Sequence, residues 1–180
     1  MERVGCSSWR AGDYVVIPII RPALTADIPF LPDIERSAGS AFRSTAHAWI
    51  ADDQIVEAEA YPPLIAANQV QVAEVDGVLA GLLIVEKIDT SLHIHEISVA
   101  EPFQKQGLGR ALMLAARRKA QALGCREMTL TTFSNVTFNA PFYASLGFGV
   151  VESPTHRLAA ILAAETAHGL TDRCAMLAPV

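Results

Sequence analysis

The sequence predicts a mixed fold, α+β (α/β mixed), with a central twisted sheet of about seven strands flanked by about four to five helices. Two observations support this prediction. The turn Asp76-Gly77 joins two β-branched runs, which indicates an antiparallel hairpin. A strand, a glycine-containing loop, a helix and a second strand then follow one another between Leu92 and Phe133. A unit of that length forms a parallel strand pair with a right-handed crossover. The sheet is therefore expected to be antiparallel in its first half and parallel at this unit.

The chain has 180 residues, of which 51% are hydrophobic and 18% are charged, with a net charge of −5. This length and composition are typical of one globular domain, which we predict over residues 14–180, after an irregular extension over residues 1–13. The negative net charge disfavours nucleic acid as a partner.

Other broad classes of protein are also disfavoured by the composition. Three cysteines without a Cys-x-x-Cys pair predict neither a disulfide framework nor a zinc site, and a reducing cytoplasm is the simplest setting. No run reaches the ~18 apolar residues of a membrane span, so we expect no membrane association.

The first elements are read from β-branched runs and prolines. A first strand is predicted over Tyr14–Arg21, and Pro18 predicts either a sheet-edge position or a bulge because proline cannot donate a ladder hydrogen bond. A helix is predicted from near Asp33 to about Phe42. A weaker helical segment covers Ala48–Ala60, and Tyr61-Pro62-Pro63 is expected to end it.

The middle of the chain is predicted as a meander followed by the crossover unit. The strands are Val70–Val75, Val78–Glu86 and Leu92–Val99. The crossover helix covers Ala111–Leu123, and Glu127–Phe133 returns as a strand. The remaining predicted elements are a helix at Asn139–Leu146, a strand at Phe148–Val151, a helix at Arg157–His168 and a strand at Cys174–Leu177.

The loop Gln104–Arg110 carries the clearest chemical signal. It places Gly107 and Gly109 between a strand and the start of a helix. The first turn of a helix has unpartnered N–H groups and a partial positive charge, so it binds anions, and glycine lets a phosphate approach closely. Lys105 and Arg110 add positive charge. We therefore predict that this loop holds a pyrophosphate.

Two blocks of the sequence together resemble a known family. Gln104-Lys105-Gln106-Gly107-Leu108-Gly109 fits the pattern Gln/Arg-x-x-Gly-x-Gly/Ala, and Asn139–Phe148 contains a Tyr four residues before Gly-Phe. Both resemble the GNAT superfamily of N-acetyltransferases. The resemblance implies a GNAT-like fold whose parallel strands splay apart at the cofactor site. It also implies acetyl-CoA as co-substrate, no metal, a primary amine of a small molecule or peptide as acceptor, and a possible homodimer.

The resemblance also implies which residues contact coenzyme A. The residues expected to contact the pantetheine arm are Ile97, Ser98 and Val99. The residues expected to bind the pyrophosphate are those of the loop: Gln104, Lys105, Gln106, Gly107, Leu108, Gly109 and Arg110. Phe142 joins them from the second block. The commonest pattern has an Asn seven residues before the Tyr, where this chain has Val136. Asn135 and Asn139 are therefore both candidates for the pantetheine amides.

Catalysis needs a base for the acceptor amine and an acid for the leaving thiolate. Glu96 on the central strand is the first choice for the base, and His95 is the alternative, since an unperturbed His titrates near pH ~6.5. Strand alternation places Glu96 on the same face as Leu92 and Ile94. Tyr143 is the acid that the resemblance implies.

Some alternatives stay open at this stage, and others are disfavoured. His93-x-His95 has no third ligand at a matching position, which disfavours a metal site. A nucleotide-binding α/β domain lacks its fingerprint. A non-catalytic acyl-CoA-binding sensor or interaction module remains possible. The acceptor pocket is expected to depend on Phe42–Leu64 and Arg157–Arg173, with Glu165 and Arg173 as candidate contributors.

Overall fold

The computed structural model describes residues 18–52 and 55–180. Within these residues, seven β-strands and five α-helices confirm the predicted mixed architecture. The strands are β1 Ile19–Pro22, β2 Val70–Val75, β3 Val78–Ile88, β4 Ser91–Val99, β5 Glu127–Phe133, β6 Gly149–Val150 and β7 Arg173–Pro179. The helices are α1 Leu31–Gly39, α2 Tyr61–Ala66, α3 Leu108–Ala122, α4 Ala140–Ala144 and α5 His156–Ala167. None of the described helices is long and apolar enough to cross a bilayer.

The strands form a single sheet in the order β1-β2-β3-β4-β5-β7-β6. All neighbouring pairs are antiparallel except β4 and β5, which are parallel, as the crossover unit predicted. The hairpin turn has positive φ at both central residues, 50° at Asp76 and 79° at Gly77. This geometry matches the right-handed twist of the flanking strands. β1 lies at the sheet edge, as Pro18 indicated.

The parallel pair separates partway along its length. Its register runs from Ser91 opposite Glu127 to Ile94 opposite Leu130, where it ends. Beyond that point β5 continues beside β7 as far as Phe133, while β4 continues beside β3 as far as Val99. The β5-facing edge of the last part of β4 is therefore available to another hydrogen-bonding group. The predicted splay is confirmed.

Helices cover both faces of the sheet. The larger core packs α3 and α4 against one face, through buried residues such as Leu108, Leu112 and Tyr143. A second core packs α1 and α2 against the other face, around Leu31 and the fully buried Tyr61. Side chains of α5 contact this second face through β5 and β7. The fork between β4 and β5 therefore opens between two helical layers.

A β-bulge in β4 corrects the predicted alternation. Ile84 pairs with Glu96 and the next residue, Val85, pairs with Ile94, so His95 is an extra residue without a partner in β3. Such a bulge shifts every later side chain to the opposite face. Leu92, Ile94, Ile97 and Val99 all belong to the core under α3. The expectation that Glu96 shares a face with Ile94 was therefore wrong, and Glu96 faces the α1 side.

Several element bounds differ from those predicted. Tyr61-Pro62-Pro63 begins α2 rather than ending a helix, because prolines are accommodated in a first helical turn. α1 ends at Gly39, followed by a 3-10 turn at Ser40–Ser44. α3 begins at Leu108, three residues earlier than predicted. The predicted extension over residues 1–13 and the start of the first strand lie outside the described residues.

Candidate active site

The N-terminus of α3 presents a group of backbone donors beside the fork. The first hydrogen bond of the helix runs from Ala111 N to Gly107 O at 3.0 Å, and no side chain caps this end. The N–H groups of Leu108, Gly109 and Arg110 therefore have no partner within the helix. Gly107 has φ +87°, and a Cβ built on it meets nothing within 4 Å. The space in front of these donors is open, as an anion site requires.

The loop that leads into α3 is shaped by its own amide side chains. Gln104 Nε2 donates to Val99 O at 3.0 Å, and Gln106 Nε2 donates to Pro102 O at 2.8 Å. Lys105 lies between them with φ +61° and is exposed. Arg110 is also exposed and lies on the first turn of α3. The two glutamines hold the loop in shape, and the two cations remain available to an anionic group.

α4 closes the opposite side of the loop. A Cβ on Gly109 would lie 3.3 Å from Phe142 Cζ, so this close approach depends on glycine. Tyr143 follows it and is buried, with its ring centroid 5.1 Å from that of Phe142. Burial raises the pKa of Tyr143, the charge of Glu96 raises it further, and Arg173 opposes the shift. Tyr143 is therefore protonated at neutral pH.

The two candidate asparagines differ in their hydrogen bonding. Asn135 Oδ1 lies 3.1 Å from His47 Nε2 and is already engaged with this buried ring. Asn139 Nδ2 is buried and has no hydrogen-bond partner in the described residues. A buried amide donor without a partner is costly, and a ligand carbonyl is one group that could satisfy it. Val136, at the position where the common pattern has Asn, is buried.

Glu96 lies just past the end of the parallel ladder, directly after the bulge. Its Oε1 accepts a hydrogen bond from Ser98 Oγ at 2.7 Å. Burial raises the pKa of Glu96, while the bond from Ser98, the charge of Arg173 and the Ile97 N–H oppose the shift. A carboxylate whose pKa is raised by burial is more readily protonated than an exposed one, which suits it to taking up a proton.

A second carboxylate with a raised pKa, Glu35 on α1, was not predicted from the sequence. Glu35 Oε2 accepts hydrogen bonds from Val56 N at 3.1 Å and from Tyr61 Oη at 3.5 Å. Burial and then the charge of Glu96 raise the pKa of Glu35 to about 7. In the sequence Glu35 looks like any polar residue of an amphipathic helix, so no local signal identified it.

A charged and aromatic cluster lines the fork on the β5 side. Arg173 and Glu165 form a two-pronged ion pair with N···O distances of 2.7 and 3.1 Å, and each side chain is only 16% exposed. The guanidinium carbon of Arg173 lies 4.6 Å from the centre of the Phe133 ring. His47 packs against Phe133 with ring centroids 4.3 Å apart. Glu165 and Arg173 were predicted from the sequence as candidate contributors to the acceptor pocket, whereas His47 was not.

Two clefts lie near these elements. One of about 330 Å³ is next to this cluster and is lined by Ser44–His47 and Asn135–Phe138. Another of about 390 Å³ lies between α1 and the β2–β3 turn, and none of the predicted site residues lines it. Asn135 is the one predicted site residue that lines the smaller cleft.

The two histidines of β4 have different surroundings and different hydrogen-bond partners. His93 is buried with Nδ1 3.0 Å from Thr129 Oγ1, and burial lowers its pKa to about 4. His95, the bulged residue, is exposed and its Nε2 lies 3.0 Å from Glu86 Oε2. In residues 18–52 and 55–180, no three His, Cys, Asp or Glu side chains come together as metal ligands.

The fold and sequence can be compared with known proteins. Residues 31–148 match the family model described as acetyltransferase (GNAT) family. The fold resembles that of PaiA N-acetyltransferase from Thermoplasma acidophilum, solved with coenzyme A, with TM-score 0.70, 16% identity, and coverage of 91% of this chain and 99% of that one.

Two further solved structures share the fold. The ribosomal-protein-S18-alanine N-acetyltransferase of Escherichia coli has TM-score 0.64 and 22% identity, with 91% and 94% of the two chains covered. N-acetylglutamate synthase of Neisseria gonorrhoeae, solved with coenzyme A and N-acetyl-glutamate, has TM-score 0.67 and 18% identity, with 91% of this chain and 35% of that one covered. The glycine loop at α3, the splayed strands and the family match agree, and the chain belongs to the GNAT family of acetyltransferases.

Proposed function

We propose that this protein transfers an acetyl group from acetyl-CoA to a primary amine of a small molecule or peptide by direct attack in a ternary complex. The observation that carries the proposal is the fork between β4 and β5. It has the open N-terminus of α3 at its mouth, and a protonated Tyr143 and a half-buried Glu96 at its sides. Family membership supports the reaction class, and the acceptor and the residue roles are part of the proposal.

The residues present fit coenzyme A. The N–H groups at the start of α3, with Lys105 and Arg110, would hold the pyrophosphate. The β5-facing edge of Ile97, Ser98 and Val99 would bond to the pantetheine arm. The unpartnered Nδ2 of Asn139 favours this residue over Asn135 for a pantetheine carbonyl. Phe142 would pack beside the arm at Gly109. Acetyl-CoA supplies the activated acetyl group as a thioester.

Glu96 is the proposed base. A lysine-like ammonium has a pKa near 10.4, so deprotonating it at pH 7 costs about 4.6 kcal/mol. Glu96 would take that proton, directly or through one water, and its raised pKa suits the task. The alternative base, His95, is exposed and bonded to Glu86, which favours Glu96.

The remaining steps follow from the backbone and from Tyr143. The Ile97 N–H bonds to the Glu96 carboxylate, so a neighbouring backbone N–H of β4 would donate to the thioester carbonyl. One such donor is worth about 3–4 kcal/mol in the transition state. As the amine nitrogen bonds to the carbonyl carbon, the C–S bond breaks and the electron pair leaves on sulfur. Tyr143 would then give its phenol proton to the thiolate, and the acylated nitrogen would lose its second proton to the resulting tyrosinate, directly or through water. The protonated Glu96 would return the first proton of the acceptor to solvent.

Thiol release from acetyl-CoA over a panel of amines tests the proposal. The solved relatives include one named for ribosomal protein S18 alanine and one for N-acetylglutamate, so the panel includes peptide α-amines and amino acids beside simple primary amines. We expect turnover with at least one class and loss of turnover in Glu96→Gln with CoA binding retained. CoA binding by calorimetry without turnover on any amine would support a binding module instead. No CoA binding would reject both functions.

A further inference from the structure

Two polar side chains lie next to each other on β4, directly after the bulge. In the ladder with β3, Glu96 lies opposite Ile84 and Ser98 lies opposite Leu82. Residues two apart on a strand share a face, and the extra residue at His95 turns this face away from α3. The bulge therefore places a carboxylate and a hydroxyl side by side where β4 has left its ladder with β5.

The two side chains are joined by a short hydrogen bond. Ser98 Oγ donates to Glu96 Oε1 at 2.7 Å, and Ser98 is only 4% exposed. A hydrogen bond to an ionised carboxylate is stronger than one between neutral groups, and burial excludes the water that would compete with it. This bond opposes the raised pKa of Glu96 more than the charge of Arg173 or the Ile97 N–H does.

Ionisable groups on four other elements are also coupled to this carboxylate. The charge of Arg173 on β7 opposes the raised pKa of Glu96. The charge of Glu96 in turn raises the pKa of three groups, which are Glu35 on α1, Tyr61 on α2 and Tyr143 on α4. Ser98 differs from all of these because it is uncharged and bonds directly to the carboxylate. Removing its hydroxyl therefore changes one contact and leaves every charge in place.

We propose that Ser98 is a positioning residue for Glu96, whose hydroxyl holds the carboxylate in one orientation and stabilises the ionised form that accepts the proton of the amine. This inference rests on the proposed function, in which Glu96 is the base. It also defines what Ser98 offers to coenzyme A. A hydroxyl has one proton to donate, and this one is donated to Glu96, so only the backbone of Ser98 would donate to the pantetheine arm.

Carbon-13 titration of the glutamate carboxyl groups tests the inference without any turnover. The signal that is lost in Glu96→Gln identifies Glu96. Ser98→Ala should move the titration midpoint of Glu96 to higher pH by about one unit, the scale expected when a charged group loses a hydrogen bond. Ser98→Thr keeps the hydroxyl and should return the midpoint toward the wild-type value. A midpoint that stays in place in Ser98→Ala, or that moves as far in Ser98→Thr, overturns the inference.

A matched control lies at the other end of the same strand. Ser91 Oγ donates to Glu127 Oε1, also at 2.7 Å, at the first pair of the ladder between β4 and β5. Ser91→Ala removes a bond of the same kind and length away from the fork, so the midpoint of Glu96 should not move. An equal movement in Ser91→Ala and Ser98→Ala would mean that the loss of a hydroxyl acts through the stability of β4, and this overturns the inference.

Calorimetry separates this role from direct cofactor binding by the hydroxyl. The Kd for CoA should be the same in Ser98→Ala, Ser91→Ala and the wild type, because the backbone of β4 is unchanged. A Kd that rises in Ser98→Ala while the midpoint of Glu96 stays in place would assign the hydroxyl to coenzyme A and overturn the inference.

The pH profile of kcat/KM connects the hydrogen bond to catalysis. Its ascending limb reports the base of the free enzyme, so it should move to higher pH in Ser98→Ala and stay in place in Ser91→Ala. If no amine supports turnover in the wild type, the proposed function fails, while the titrations still decide whether Ser98 governs the ionisation of Glu96. If turnover occurs and the limb stays in place in Ser98→Ala, the inference fails while the function stands.

Discussion

Gly107 has two proposed roles: it adopts a positive φ, and it leaves room for a phosphate. Replacing Gly107 by Ala tests the two separately. Its φ of +87° is costly for any residue with a Cβ, at about 1–2 kcal/mol. A Cβ there meets nothing within 4 Å, so no packing penalty is added. For a chain of this size that loss lowers Tm by about 2–8 °C. Gly124, just beyond the other end of α3, has φ +69° and equally open surroundings. Gly124→Ala should therefore lose the same stability.

Only the substitution at Gly107 should also weaken CoA binding. The added methyl group stands where a phosphate oxygen must come within about 3 Å of the helix N–H groups. We expect Kd for CoA to rise at least about tenfold, or about 1.4 kcal/mol, in Gly107→Ala and to stay unchanged in Gly124→Ala. Thermal unfolding and isothermal titration calorimetry measure both quantities. Equal Kd values in the two variants would refute the assignment of the pyrophosphate to this loop.

Three further predictions concern other parts of the fold. Tyr143→Phe keeps the ring packing and removes the proposed acid. The value of kcat should therefore fall by about a hundredfold or more while the affinity for CoA stays constant. Equal losses of kcat and CoA affinity would contradict the acid role of Tyr143. The pKa of Glu35 is raised from the ordinary 4.5 to about 7, so the folded state binds more protons in that window and the free energy of unfolding should fall as pH rises through it. Denaturant titrations at several pH values should show this decline in the wild type and its absence in Glu35→Gln. Gly81→Ala places a Cβ 2.9 Å from Ser98 O and 3.2 Å from Leu112 Cδ1. The free energy of unfolding in the same assay should therefore fall by about 1–3 kcal/mol. An unchanged free energy of unfolding would contradict the close approach of β3 and β4.

Features encoded by neighbouring residues were predictable. The Asp76-Gly77 turn, the β5 strand Glu127–Phe133 and the helix stop at Gly124 follow from backbone preferences that act within a few residues. The glycine loop before α3 is equally local, and so is the parallel crossover that it begins. Errors arose where a local rule was ambiguous, as at Tyr61-Pro62-Pro63, since proline both ends helices and begins them.

The sequence by itself determined the antiparallel hairpin, the parallel crossover and the glycine loop at the start of α3, because these depend on short-range backbone geometry. Only the tertiary structure decided which face of β4 carries Glu96, because the bulge at His95 exists only in the pairing with β3. Only in the folded chain does the charge of Glu96 raise the pKa of Glu35 on α1, and the charge of Arg173 on β7 oppose the raised pKa of Glu96. Charges act through space, so partners that lie 61 and 77 residues away along the chain leave no mark in the local pattern.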